Sequence, residues 1–283
     1  MYAASIGGLW RIDYLYVAGF CTLIAAVSLH RSKYRLRWPA GLYRSLGSNL
    51  GFWLGNALFA PAVFIFHNAI KAAFDDLGLP HLDEAIWADL PVWLLAIIAV
   101  LMVDFADYWT HRAIHHKWLW PMHAVHHSDK HVNPLTTYRV HFLEPLCMRI
   151  SYLLILSWFG LPADAAGFGA IFLTLLNIYV HTTIDWGHGP LRHVIASPRL
   201  HQWHHANVPE AQNKNLANVF PFYDVLFGTY YNPGPCTAAF GCDGVPDNSF
   251  VKLTLYPFQQ WSKALITLID PRSSAKAQRS TGS

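Results

Sequence analysis

The sequence predicts an all-α, integral-membrane helical bundle capped by a histidine-rich helical layer. Three observations carry this. Apolar residues make up 53% of the 283 positions and charged residues only 13%, about half the charge of an ordinary soluble domain, roughly 25%. Long apolar runs recur at lengths near the ~20 helical residues that cross a bilayer. Most of the 17 histidines cluster between and after those runs, with His67 alone inside one. A net charge of +3, with no long basic stretch, argues against a nucleic-acid partner.

The first run, 12–29, follows a single Arg11 and lacks an obvious small-residue cleavage site, so it reads as an anchor and not as a removed signal. The second is 49–70 and the third about 90–106, with Asp104 near its end. A fourth block, 146–161 and 164–180, is broken at Gly160, Pro162 and Asp164, which suggests a hairpin of two helices, each slightly short. On this reading 1–106 is an N-terminal transmembrane region. Residues 107–270 form a catalytic domain that includes the membrane hairpin 146–180, and 271–283 is a Ser/Lys/Arg-rich tail expected to be disordered.

Orientation follows from the basic residues. The loop after the first run holds Arg31, Lys33, Arg35, Arg37 and Arg44. The loop after the second holds Asp75, Asp76, Asp83, Glu84 and Asp89, with Lys71 alone opposing them. The first loop is therefore expected in the cytoplasm and the second outside. The third run then delivers 107–145 to the cytoplasm, and the hairpin returns 181–283 there. All dense histidine clusters fall on that one side.

The clusters are His111 with His115 and His116; His123 with His126 and His127; His141; His181; and His201 with His204 and His205. Helical residues four apart lie about 40° apart around the axis, and three apart about 60°. Each set can thus aim several imidazoles at one point. His116 falls about 140° from His111, which ranks His115 above it. Pro121 permits a turn between the first two clusters. Ser197-Pro198 resembles an N-cap and helix-starting proline before the last, and Pro209 can close that helix. Ten imidazoles suffice for two metal ions with positions left open, although histidine alone does not select among Zn, Cu, Fe and Ni. Asp104, Asp107, Glu144 and Asp185, spaced three, four or seven residues from a histidine, are candidates to accept the outer N–H of a ligand ring. The alternative for Asp104 and Asp107 is that they mark the end of a span.

These stretches resemble a known family. Asp107-Tyr-Trp-Thr-His-Arg-Ala-Ile-His-His116, His123-Ala-Val-His-His-Ser128, His141-Phe-Leu-Glu144 and Ser197-Pro-Arg-Leu-His-Gln-Trp-His-His205 resemble the fatty acid hydroxylase/sterol desaturase superfamily. Asn215 to Thr229, with Asp224-Val-Leu-Phe-Gly-Thr229, is similar to its closing motif, and the likeness covers roughly 104–231. The ordered set is specific, whereas any single piece is weak. Phe142, where proline is usual, and Ala217, where glycine is common, depart from the pattern. The resemblance implies a membrane enzyme with two iron ions (Fe2+/Fe3+) and histidine boxes on the cytoplasmic side. It implies O₂, a lipid substrate such as a sterol or fatty acyl chain, and an external electron donor, cytochrome b5-like or ferredoxin/reductase. The implied ligands are His111, His115, His123, His126, His127, His141, His181, His201, His204 and His205. Hydroxylation is the simpler outcome, because one hydrogen abstraction suffices; removal of a second hydrogen would desaturate.

Rival classes fit less well. A membrane zinc hydrolase would want H-E-x-x-H or a comparable base, which is absent from the sequence. A metal transporter would place its ligands within the spans. Aromatics of the runs, Trp53, Phe64, Phe66, Trp93 and Trp158, either line a lipid channel or face lipid, and the second is expected for most. Cys21 and Cys147 read as small buried hydrophobes. Cys236 and Cys242 read as free thiols, with a disulfide as the alternative. His30, His67 and His81 lie outside the constellation; His116, His131, His188 and His193 lie near it without an assigned role.

Overall fold

A computed structural model describes residues 41–247 and 249–269. The apolar run 12–29, most of the basic loop, Cys21, His30 and the tail 271–283 lie outside the described residues. Among the described residues the regular structure is helical, apart from one isolated β-bridge between Ala206 and Phe240.

Helix α1 (Leu42–Asp76) starts after Gly41, whose φ of 99° is open to glycine. At about 1.5 Å per residue, its 35 residues make a rod well over the ~30 Å hydrocarbon core of a bilayer. Helix α2 (Val92–Ile114) follows the N-cap Pro91. Both helices are long and apolar enough to cross a membrane. α2 runs two turns past the apolar stretch, so the rod that carries Leu95 and Ala99 in the core also carries His111.

The expected hairpin is present as α4 (Glu144–Phe159) and α5 (Ala163–Val180). Gly160 makes its turn at φ 56°, with its Cα packed on the carbonyl of Leu82 so that a Cβ has no room. The tip is tied to the segment after α1 by Leu82 N–H donating to Trp158 O (2.8 Å) and the Trp87 indole donating to Phe159 O (2.8 Å). The hairpin therefore reaches the level at which α1 ends.

α2 is the central element, packed on both hairpin helices. Val100 and Val103 of α2 meet Leu173, Leu176 and Val180 of α5, and Val219 closes the cluster from the segment that follows α6. The five aromatics of the apolar runs are exposed on the outside of the bundle. They do not line a channel.

The short helices at the histidine end are α3 (Trp120–His127), α6 (Pro198–His204) and α7 (Phe222–Leu226). Pro121, expected to permit a turn between the first two clusters, lies in the first turn of α3. Ser197 caps α6 by accepting Leu200 N–H at 3.2 Å, with Pro198 in the first turn. α6 ends at His204, before Pro209, which instead begins a separate 3₁₀ turn, Pro209–Ala211. Helix α8 (Phe250–Ile269) lies against α3 and touches α1.

A buried polar network fixes α1 to α3. Asp129, just after α3, accepts from Ser45 Oγ (2.6 Å), Asn49 Nδ2 (3.0 Å), Thr136 Oγ1 (2.7 Å) and His131 N–H (2.9 Å). Arg139, completely buried, donates to Val125 O (3.1 Å), Ser128 Oγ (2.8 Å), Asn49 Oδ1 (3.2 Å) and the carbonyl of Asp247. Asn49 thus bridges the carboxylate and the guanidinium. Buried charges are tolerated only when satisfied in this way.

Candidate metal centre

Four helices bring nine histidines together in two groups. His111 and His115 at the end of α2, His123 and His127 of α3, and His204 of α6 form the first. His126 of α3, His181 at the end of α5, and His201 and His205 of α6 form the second. In each group one ring nitrogen per residue lies within 4.8 Å of every other. The groups interleave, because α3 and α6 each contribute to both. Adjacent residues point to different groups: His126 and His127 on α3, His204 and His205 on α6.

The outer nitrogens explain why the inner ones converge. His111 Nδ1 donates to Leu216 O (2.7 Å), His204 Nδ1 to Lys214 O (2.8 Å), and His181 Nδ1 to Asn177 O (2.6 Å). A carbonyl can only accept, so these rings carry the proton on Nδ1 and present a bare Nε2. His123 Nδ1 meets Glu144 Oε1 at 3.0 Å, and His115 Nδ1 meets Asn213 Oδ1 at 3.2 Å.

The bare nitrogens then face one another. His123 Nε2 lies 3.1 Å from those of His111 and His127. His181 Nε2 lies 2.9 Å from that of His201, 3.2 Å from that of His126 and 3.3 Å from that of His205. Two nitrogens bound to one ion at about 2.0–2.1 Å, at right-angled to tetrahedral positions, are about 2.8–3.4 Å apart. Lone pairs crowded at that spacing repel unless a cation lies among them. His115 Nε2 and His204 Nε2 are buried without a hydrogen-bond partner, as ligand nitrogens require. The donor set therefore fits bound metal.

Electrostatics agree. Burial, followed by the mutual repulsion of the rings, pushes His123, His127, His201 and His205 well below the usual imidazole value. His181, moved mainly by burial, falls to about 4. The rings are held neutral, the form that binds metal.

Two cavities meet the centre. One of about 270 Å³ lies among α2, α4 and α5; its wall includes His111, His123, His126, His181 and His201 together with Ile114, Val140 and Met148. The other, about 440 Å³, touches His115, His127, His204 and His205 from the opposite side and has a more polar wall, with Lys117, Gln212, Asn213 and Asp243.

Several expectations need correction. The structure does not bring His141 to either group. Its ring is buried against Phe142 and Phe258, with Nε2 donating to Thr254 O (3.0 Å) and Nδ1 accepting from Leu143 N–H (3.3 Å). Among the four expected carboxylates, Glu144 touches a clustered ring, and that ring is His123, not its sequence neighbour His141. Asp104 accepts three backbone N–H groups, from Asn218, Val219 and Phe220. Asp107 accepts from Asn218 Nδ2 at 2.6 Å. Asp185 pairs with Arg199 at 2.8 Å. Asp104 and Asp107 thus act on the site indirectly. They hold the 216–220 segment whose Leu216 carbonyl orients His111, and Asp224 holds the same segment by accepting Leu216 and Ala217 N–H.

Sequence reasoning missed Leu216, Lys214 and Asn177 as orienting partners, since any residue can supply a backbone carbonyl, and it missed the Asn213 side chain that meets His115. It also missed Asp129, for which the Ser128-Asp129 pair directly after α3 was an available signal. Cys147, Cys236 and Cys242 are free thiols. His188 bonds the Tyr179 hydroxyl (2.7 Å) and its ring stays outside both groups.

Residues 96–229 match the model of the fatty acid hydroxylase family. The chain is 29% identical over 177 residues to an ornithine lipid hydroxylase of Rhizobium tropici, covering 62% of this chain and 54% of that protein. It is 31% identical over 153 residues to an alkylglycerol monooxygenase of Danio rerio (53% and 33%), and 29% identical over 162 residues to a very-long-chain aldehyde decarbonylase of Oryza sativa subsp. japonica (50% and 24%). The chain spans about half the length of the first of these relatives and less of the other two. No solved structure matches.

Proposed function

Because residues 96–229 match the fatty acid hydroxylase family model, we propose that this chain is a membrane-bound di-iron oxygenase that hydroxylates a C–H bond of a lipid. The overall change consumes one O₂, two electrons and two protons, and returns an alcohol and one water. The single observation that carries the reading is the pair of interleaved imidazole groups, five nitrogens and four, beside a cavity among α2, α4 and α5. Five donors in one group exceed the four that a structural zinc ion takes.

When bound, two irons supply the activation of O₂ and the removal of the hydrogen atom. The chain supplies the rest. His111, His115, His123, His127 and His204 would hold one ion, and His126, His181, His201 and His205 the other. The backbone carbonyls of Leu216, Lys214 and Asn177 keep three of these rings in one tautomer and one orientation. The cavity lined by Ile114, Val140 and Met148 would hold the lipid segment against His111, His126 and His201, reached from between α2, α4 and α5. The relatives named for ornithine lipid, alkylglycerol and aldehyde substrates support an acyl or alkyl chain as the reacting part. The basic residues around 31–44 favour the cytoplasmic side for the histidine end, where an external donor of the cytochrome b5 or ferredoxin class would deliver electrons.

The test is direct. The full chain, purified in lipid, is analysed for metal and then supplied with O₂ and a reductant while its lipids are profiled. Near two irons per chain, O₂ uptake and a lipid gaining one oxygen atom are expected, all lost in His126→Ala. A single bound zinc with no O₂ uptake would overturn the assignment.

A further inference from the structure

α8 divides into three sectors around its axis. Leu253 and Pro257 are buried, Leu253 in a cluster with Phe52 of α1 and Val125 of α3. A second sector holds Val251, Leu255, Phe258, Leu265, Ile266 and Ile269, all exposed, from 44% at Phe258 to 83% at Ile269. At about 100° per residue these six fall within roughly 60° of one line. Lys252, Gln259 and Lys263, also exposed, lie about 100° to the side of that line away from the protein. Apart from the exposed Ser262 between Phe258 and Leu265 the sector is apolar, and an apolar stripe of this size does not face water without a reason.

The level of α8 along α1 supplies the reason. Ser45 and Asn49 mark the polar end of α1 through their bonds to Asp129. Phe250 packs over Gly51 and Gly55, one to two turns further along. Phe142 then links Phe59 of α1 (5.1 Å between ring centroids) to Phe258 of α8 (6.3 Å). At this height α1 exposes Leu50, Trp53, Leu54 and Leu58, and nearer its start the amphipathic Tyr43. The apolar stripe of α8 thus starts where the apolar surface of the span starts, and the two are continuous.

We propose that α8 lies in the plane of the membrane surface, with its stripe sunk into the boundary between headgroups and acyl chains and Lys252 and Lys263 set toward lipid phosphates. The occupant of the stripe is lipid. This rests on the membrane reading of α1 and α2. Because the buried edge of α8 packs on α3, the contact fixes the height of the histidine helix above the bilayer.

The experiment uses the full chain in nanodiscs of mixed neutral and anionic phospholipid, with Cys21, Cys147, Cys236 and Cys242 replaced by serine. A bimane label is placed at Leu255, Phe258 or Leu265, at Lys252, Gln259 or Lys263, or at Leu58 of α1 as a reference. Quenching by spin-labelled lipid is compared with quenching by aqueous iodide. The stripe labels are expected to respond to lipid carrying its quencher near the headgroup, and the Lys252, Gln259 and Lys263 labels to iodide. Stripe labels quenched by iodide as strongly as the Lys252 label, or shielded from both quenchers by a protein partner, would overturn the proposal while Leu58 stayed in lipid. If Leu58 too is open to iodide, the chain does not span the bilayer, and the membrane reading falls together with the proposal.

Discussion

Replacing Glu144 tests whether the outer hydrogen bonds govern the centre. Glu144 is bonded to a clustered ring, through His123 Nδ1 at 3.0 Å, and both side chains are buried. That hydrogen bond satisfies a buried ring N–H, and leaving such a group unpaired costs about 1–3 kcal/mol. At about 1.4 kcal/mol per tenfold in affinity, its loss corresponds to roughly 10–100-fold weaker binding. That agrees with the roughly 10–100-fold measured when such orienting partners of metal ligands are removed. Glu144→Ala should therefore weaken the first ion by that amount and leave the second nearly unchanged. Glu144→Gln keeps an acceptor oxygen and should fall between the two. The assay is titration of metal-depleted protein with Co2+, followed by its visible absorption and by competition with a chelator. Equal affinity in all three proteins, within about threefold, would refute the reasoning, because His123 would then be held by packing alone.

Three further perturbations follow from the same structure. His141→Ala should keep the full metal content, since both ring nitrogens of His141 are engaged elsewhere; loss of one ion per chain on metal analysis would return His141 to the ligand set. Asp129→Asn removes the charge from a carboxylate that accepts four hydrogen bonds, so at about 1.5–3 kcal/mol for each of the one or two bonds lost the thermal midpoint should drop by several degrees, with α1 released from α3; an unchanged midpoint would contradict this. Metal-depleted protein should lose stability steadily as pH falls from about 6.5 toward 4. The unfolded chain takes up protons near 6.5, whereas His181 resists until about 4, so the unfolded state binds more protons across that window and is favoured by acid. A melting temperature that stays flat through that window would sink the account.

The histidine spacing made most of the site legible, because i, i+3 and i+4 relations on short helices fix which rings share a face. Pro121, Ser197 and Pro198 marked where two of those helices begin. His141 could not be judged in this way: a lone histidine has no helical partner to reveal its direction, and Thr254, which engages it, is 113 residues away. The carboxylates misled for a related reason. Spacing from a histidine reports proximity along one helix, but Asp104 and Asp107 turn toward the 216–220 segment, and Glu144 turns toward α3. The fold class was readable from the low charge, the apolar run lengths and the placement of the histidines between and after the runs. The three sectors of α8 were not anticipated, because the exposed stripe is distinguishable from a core stripe only once Leu253 and Pro257 are seen to fill the protein-facing side.

The interleaving of the two groups has a consequence for how the site must behave. His126 and His127 are adjacent, as are His204 and His205, so a rotation of α3 or α6 that improves one group must disturb the other. The two ions are therefore coupled through two short rigid helices, each anchored independently: α3 through Asp129, Arg139 and α8, α6 through the Ser197 cap. Emptying the second group by His126→Ala should weaken the first beyond the loss of a single neighbour, because the loosened α3 also carries His123 and His127. Metal titration of that variant decides the point. First-group affinity equal to that of the unaltered protein would mean that the two ions are held independently, and that the shared helices are an accident of packing.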